Sequence, residues 1–317
     1  MKPKVAVVIL NWNRPGDTIE CLRSVYGLQS TDYSLEIVVV DNGSTDGSVA
    51  AMRKFQITRL RRGFGGQANS KLQIIENNEN LGYAGGNNVG IRQAIKDGAD
   101  FVFVLNNDTV LDKNALLSLL RVAGEHKDAG IFSPKIYFAK GFEFHKDRYS
   151  KGDLGKVIWA AGGDFDWDNV LGSNHGVNEV DNNQFDKVRE IDFATGAAMF
   201  VRREVFEKVG FFNQDYFLYV EDVEFCERAK KGGFKILYVP EAKLWHKVAQ
   251  SSGIGSGLND YFTTRNRLVF GLKYANMRTK FALIRESLRF LVTGRYWQKR
   301  GVVDFYLHHL GRGGFPL

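Results

Sequence analysis

Four short apolar runs, Val5 to Leu10, Glu36 to Val40, Leu72 to Ile75 and Phe101 to Leu105, constrain this chain more than any other feature. They are rich in Val, Ile and Phe, as strands buried on both faces of a parallel sheet are. The stretches between them carry helix signals. Pro15-Gly16 precedes Asp17 to Tyr26, Asp46-Gly47 precedes Ser48 to Phe55, and Asp97-Gly98 follows Asn88 to Lys96. Strand alternating with helix predicts an α/β fold with a doubly wound, mostly parallel central sheet.

Such sheets bind ligands just beyond the carboxyl ends of their strands. Here those ends are polar: Asn11-Trp12-Asn13 after the first strand, Asp41 to Asp46 after the second, Asn106-Asn107-Asp108 after the fourth. Any one of them reads as an ordinary turn. Three in one half-domain predict a shared crevice.

The rest of the chain is less regular. Residues 139–190 are rich in Gly, Asn and Asp, with only V-I-W-A-A around Trp159 reading as a strand, and suggest an irregular excursion with a hairpin. From Ile191 on, A-A-M-F-V-R-R-E-V-F-E-K-V-G predicts a strand running into a short helix that stops at Gly210. Asp222 to Lys230 then predicts a helix, and Lys235 to Val239 a strand closed by Pro240. Arg59 to Gln67 reads as a flexible basic loop.

Composition excludes several classes. With 317 residues, 44% of them hydrophobic and 24 of them Phe, a large core is available. The longest apolar runs, such as V-A-V-V-I-L, fall well short of the roughly 18–20 residues of a membrane span. Met1-Lys2-Pro3-Lys4 leads straight into a strand with no signal-peptide pattern, and two cysteines give no disulfide framework, so a reducing cytosol is the expected setting. From Tyr261 onward 11 Lys and Arg face 2 acids, while the preceding 260 residues carry 32 against 34. The positive charge therefore belongs to the tail, and without a basic stripe elsewhere no nucleic-acid partner is expected.

Several residues suit particular chemistry. Asp108 at a rigid strand end could hold Mg²⁺ or Mn²⁺ against nucleotide phosphates, although helix capping by Asp108 or Asp112 is the plainer account of that acid. In N-E-N-L-G-Y-A-G-G-N-N-V-G, residues 78–90, Gly82, Gly85 and Gly86 would let backbone N–H groups approach a phosphate or sugar. A dinucleotide fold would need its G-x-G-x-x-G after the first strand, where L-N-W-N-R-P-G stands, so nicotinamide binding is disfavoured. Glu221 and Asp222 open a helix behind an aromatic run. They suit either its macrodipole or a carboxylate that takes a proton from an attacking hydroxyl. His246, beside Trp245, reads as a packed residue without help from outside its motif.

Taken in order, V-V-I-L-N-W-N, V-V-V-D-N-G-S-T-D-G-S, E-N-L-G-Y-A-G-G-N-N-V-G, L-N-N-D, D-F-A-T-G-A-A-M-F-V-R-R, F-F-N-Q-D-Y-F-L-Y-V-E-D-V-E-F-C-E-R and V-P-E-A-K-L-W-H resemble the inverting family 2 glycosyltransferases with a GT-A fold, in particular the bacterial rhamnosyltransferase-like branch. The resemblance spans roughly residues 4–270. It implies that Asn11, Asn13, Asp41, Asn42, Ser44, Asn80, Gly85, Asn87, Asn88, Asn106 and Asn107 form the nucleotide pocket. Arg265 and Arg267 would hold the pyrophosphate, and Asp108 and His246 would bind the metal. Asp222 would be the catalytic base with Glu221 beside it, and Thr195, Gly196 and Trp159 would lie on the acceptor side. One departure is Asn106, which stands where the family's D-x-D motif has its first Asp and removes a charge from the site.

The resemblance thereby implies a hexosyltransferase acting by direct displacement. Its donor would be dTDP-linked, with rhamnose foremost, or alternatively a UDP-hexose, and its acceptor a polysaccharide or lipid-linked glycan. A noncatalytic carbohydrate-binding scaffold is the rival, which the joint presence of Asp108, Asp222 and His246 argues against. Residues 1–260 would form the GT-A domain, with a nucleotide-sugar half to 110 and an acceptor half from 111, followed by a basic helical region at 261–317. In that region Met277, Phe281, Ile284, Leu288 and Leu291 form an apolar stripe, with Arg278, Arg285 and Arg289 off it. Such a helix usually docks on its own domain; the alternative is attachment to an anionic membrane surface, at the inner face of the cell membrane.

Overall fold

The computed structural model describes residues 2–28, 30–62 (main chain only from 59), 71–248 and 256–316. The first part alternates as expected: β1 (Lys4–Asn11), α1 (Pro15–Tyr26), β2 (Ser34–Asp41), α2 (Ser48–Arg62), β3 (Lys71–Glu76), α3 (Gly82–Lys96) and β4 (Phe101–Asn106). Next come β5 (Thr109–Leu111), α4 (Ala115–Glu125) and β6 (Ala129–Phe138). The irregular stretch contributes β7 (Ile158–Ala160), the expected hairpin of β8 (Gly163–Asp166) and β9 (Leu171–Asn174), and β10 (Arg189–Glu190). The remaining elements are β11 (Ala198–Arg202), α5 (Arg203–Val209), α6 (Glu221–Lys231), β12 (Lys235–His246), α7 (Gly257–Tyr274), α8 (Met277–Thr293) and α9 (Tyr296–Tyr306).

The central sheet runs β10-β12-β6-β11-β4-β1-β2-β3, with β5 paired to β12 and β7 to β6. Strands β4, β1, β2 and β3 are mutually parallel, whereas β11 is antiparallel to both β4 and β6. Alternation along β1 sends Val5, Val7 and Ile9 to the face covered by α1, α2 and α4, and Ala6 and Val8 to the face covered by α3, α5 and α6. This is doubly wound packing, and both faces are dry.

Helix α3 lies unusually close to the sheet. A Cβ on Gly86 would meet Leu10 Cδ1 at 2.4 Å and one on Gly90 would meet Val8 Cγ1 at 2.5 Å. Gly86 thus serves helix–sheet packing rather than the phosphate approach that its sequence context suggested.

Other boundaries differ from expectation. Strand β12 does not close at Pro240: it slips register between Val239 and Lys243 and continues to His246. Proline cannot donate to a ladder, so it sits at the irregularity. Helix α2 runs on to Arg62, so the expected basic loop is helical over 59–62, and its remainder lies outside the described residues. The one-face docking expected of α8 is also not what forms. Its buried residues are Thr279, Leu283 and Ser287, whereas Met277, Phe281, Ile284, Leu288 and Leu291 are exposed. Among the described residues no helix is long and apolar enough to cross a membrane.

Candidate active site

The polar strand ends converge. Register places Asn11 opposite Asp41 and Leu10 opposite Asn106, so three ends form one rim. Asn11 is fully buried; its amide donates to Asp41 Oδ1 at 2.7 Å and Ser44 Oγ at 3.0 Å. Its Oδ1 accepts from the Thr18 hydroxyl at 2.5 Å, and Asn107 donates to Thr18 at 2.9 Å. Ser44 Oγ in turn accepts the N–H of Asn13, whose side-chain oxygen accepts from the N–H of Thr45. This network fixes Asp41 and leaves Asn13 and Ser44 partly exposed at the rim.

The turn from β3 into α3 is held by Asn42. Its amide donates to Asn80 Oδ1 and the Gly82 carbonyl, and its oxygen accepts from Asn77 and from the N–H of Leu81. With all these groups engaged and 2% exposure, Asn42 shapes the pocket and does not line it. Asn88 is corrected more strongly. Both ends of its amide pair with the main chain of Phe212, and it is fully buried, so it cannot contact a nucleotide. Asn87 differs: its amide donates to the Tyr83 carbonyl, and its buried Oδ1 has no partner. An open pocket of ≈ 660 Å³ beside Asn80 and Leu81 is also lined by Gln214, Phe217, His308 and Arg312.

Asp108 and His246 meet across the β5–β12 pairing. His246 Nε2 stands 3.0 Å from Asp108 Oδ1, yet the two make no aligned hydrogen bond. Asp108 Oδ1 and His246 Nδ1 are both buried without a hydrogen-bond partner. An orphaned buried oxygen is costly, and Asp108 Oδ1 with the imidazole Nε2 facing it would suit a divalent cation that takes its other ligands from phosphate oxygens. Among the described residues no cluster of three or more His, Cys, Asp and Glu forms, so the protein would supply few of the ligands. The Trp159 ring packs edge-on against His246 at 4.8 Å.

The third cluster is reached through β11. Asn106 N–H donates to the Ala197 carbonyl at 2.9 Å, bringing Thr195-Gly196 beside the end of β4. Gly196 N–H donates to Asp222 Oδ2 at 2.8 Å, and the Tyr83 hydroxyl donates to the Gly196 carbonyl. A Cβ on Gly196 would lie 2.8 Å from the Tyr83 oxygen, so a larger residue there would have to displace the Tyr83 ring. Burial pushes the Asp222 carboxyl up, opposed by the N–H groups of Gly196 and Val223. Burial, together with the charge of Asp222, drives Glu221 well above the usual carboxylate range, and its Oε2 has no partner.

The loop before these acids is strained. Phe217, Tyr219 and Val220 all have positive φ (61°, 70° and 72°), a costly conformation for bulky and β-branched side chains. Asn266 on α7 holds it, donating to the carbonyls of Tyr216, Leu218 and Tyr219 at 2.8 Å each. Arg265, fully buried, donates to the carbonyls of Asp215, Tyr216 and His309. Arg267 is spent on the Asn169 carbonyl and Glu286. Neither arginine is available to a pyrophosphate, which corrects the role implied by their motif. Sequence reasoning also passed over Thr18, Tyr83 and Asn266. Tyr83 lies inside a motif already singled out and Asn266 between two residues already named, but neither position indicates direction.

Comparison with known proteins gives the family and the fold. Residues 6–210 match the model of the family described as glycosyl transferase family 2. The chain is 26% identical over 237 residues to the low-salt glycan biosynthesis hexosyltransferase Agl10 of Haloferax volcanii, covering 74% of this chain and 64% of that protein. It is 28% identical over 248 residues to the N-acetylglucosaminyl-diphospho-decaprenol L-rhamnosyltransferase of Mycobacterium tuberculosis, covering 75% of each. Among solved structures it resembles the mannosyltransferase PcManGT of Pyrobaculum calidifontis in complex with GDP-Man and Mn²⁺, with a TM-score of 0.55 and 15% identity, covering 100% of this chain and 77% of that one.

Proposed function

Because the chain belongs to glycosyl transferase family 2 and has the GT-A fold, we propose that it moves a sugar from a nucleoside diphosphate to an acceptor hydroxyl by direct displacement, inverting the anomeric carbon. One observation carries the reading. A raised carboxyl, Asp222, is tied through Gly196 to the same strand end that presents Asp108 toward His246.

In this mechanism the Asp222 carboxylate takes the proton of the acceptor hydroxyl as its oxygen bonds to C1. The C1–O bond to phosphate breaks with its electron pair, leaving the nucleoside diphosphate. A divalent cation, Mg²⁺ or Mn²⁺ as in the Mn²⁺-bound relative, would neutralise charge developing on that leaving group. Asp108 and His246 would hold it. Ser44 and Asn13, held in place by the buried Asp41, would face the nucleoside, Asn80 and Asn87 the far side of the donor, and Thr195 and Trp159 the acceptor. With Arg265 and Arg267 engaged elsewhere, a cation held by Asp108 and His246 would meet more of the diphosphate's charge, in a site that Asn106 leaves one acid poorer.

The rhamnosyltransferase relative, whose name gives a decaprenol-diphosphate-linked acceptor, favours rhamnose as the sugar and a lipid-linked glycan as acceptor, and similarity to the dTDP-rhamnosyl transferase RfbF favours dTDP as its carrier. Similarity to a hexosyltransferase favours another hexose donor, such as a UDP-hexose, as the second reading. Calorimetry of the purified chain against dTDP-, UDP- and GDP-sugars, with Mg²⁺, with Mn²⁺ and with chelator, separates them. Tight metal-dependent binding of one nucleotide supports a donor site and identifies its base; no binding to any sinks the proposal. NMR of the product would show an inverted anomeric configuration, and retention would refute direct displacement.

A further inference from the structure

Helix α8 presents the wrong face to water for a helix that merely completes a domain. Its docked side is Thr279, Leu283 and Ser287, two of them polar. At about 100° per residue, Met277, Phe281, Ile284, Leu288, Leu291 and Val292 fall together on roughly the opposite side. Met277, Phe281 and Val292 are 63%, 66% and 75% exposed. Exposed apolar residues occur singly on any protein, but a continuous stripe along a whole helix marks an interaction surface.

Charge identifies the occupant. Arg278, Arg285 and Arg289 are exposed along one flank of the stripe, and Lys280 borders the other. The helix's single acid, Glu286, turns inward to Arg267 at 2.5 Å. A second copy docking on this face would bring arginines against arginines with no carboxylate on the helix to answer them. An anionic bilayer offers both an apolar interior for the stripe and phosphates for the flank. We propose that α8 lies in the plane of an anionic membrane surface, with the stripe sunk among the acyl chains and Arg278, Arg285 and Arg289 at the headgroups. Tyr296, 68% exposed just beyond the helix, adds an aromatic ring suited to that boundary. This surface is independent of the donor-site reading, and either can fail alone.

The test is co-sedimentation of the full chain, without substrate, with vesicles of phosphatidylcholine alone or with about a third phosphatidylglycerol. Binding to the anionic vesicles, weakened by raised salt and by about tenfold or more in a Phe281→Ser/Leu288→Ser variant, is the expected result. An Arg278→Gln/Arg285→Gln/Arg289→Gln variant should lose the preference for anionic over neutral vesicles. All five positions are exposed, so circular dichroism and nucleotide binding of these variants should match wild type. Failure to bind anionic vesicles, or equal binding by the Phe281→Ser/Leu288→Ser variant, overturns the proposal. So does a concentration-dependent dimer by light scattering that this variant abolishes, since the face would then belong to a second copy.

Discussion

Asp222 accepts the Gly196 N–H at 2.8 Å, and this bond joins the first turn of α6 to the segment leading into β11. It fixes where the carboxylate points, while burial raises its proton affinity toward the range useful to a general base. Asp222→Asn should therefore lower kcat by about 10²–10⁴-fold with nucleotide affinity intact. A variant transferring sugar at the wild-type rate removes Asp222 as base. In the wild type, kcat/KM should fall as pH drops through a pKa above that of an ordinary Asp, because a raised carboxyl protonates sooner on acidification. The variant should lack that limb.

His246 Nε2 stands 3.0 Å from Asp108 Oδ1, a buried oxygen that no hydrogen bond satisfies. If they hold the cation, Asp108→Ala and His246→Ala should each weaken metal-dependent binding of a nucleoside diphosphate by about tenfold or more. Excess chelator should weaken wild-type binding and leave the variants little changed. Calorimetry reads all of these, and chelator-resistant binding equal to wild type would sink the metal assignment.

Asn266 is proposed as a positioning residue. Asn266→Ala removes the side-chain donor of the part-buried Leu218 and Tyr219 carbonyls, while the Tyr216 carbonyl keeps Arg265, at about 1–3 kcal/mol for each left unsatisfied. Urea titration should show the stability loss, and kinetics should show kcat falling while KM for the donor holds. A change in KM alone would place Asn266 in substrate binding instead.

Burial and the charge of Asp222 push the Glu221 carboxyl well above the usual carboxylate range. A carboxyl with a raised folded-state pKa binds protons more tightly folded than unfolded. Its favourable contribution is complete below the unfolded pKa and is lost as pH rises through the folded one. Glu221→Gln should thus raise Tm more at neutral pH than in acid. The opposite trend would show that Glu221 is ionised in the fold.

Lys135 is fully buried on β6, with Asp181 at 2.9 Å and Asp186 at 2.6 Å, and so pins the irregular stretch to the sheet. Lys135→Met should destabilise by about 3–5 kcal/mol, since it strands the mostly buried Asp181. Limited proteolysis should cut first within 139–190, and unchanged cleavage would count against that role.

The sequence itself determined the sheet's four parallel strands, because runs of Val, Ile and Phe bounded by turn residues have few other ways to be buried. It also determined that the ligand edge is polar, because strands of known direction place their carboxyl ends together. What only tertiary structure decided is direction. The resemblance assigned Arg265 to a pyrophosphate and nothing pointed to Asn266, until the loop before Glu221 is seen folding onto both. Its positive-φ residues, none of them glycine, give no signal in the sequence. Asn88 shares a motif with Asn87, yet successive helix residues point about 100° apart, and one spends its amide on Phe212 while the other keeps an unpaired oxygen. In α8 the 3.6-residue period located the apolar stripe but not its orientation, which was set when Leu283 and Ser287, rather than Phe281 and Leu288, met the rest of the protein.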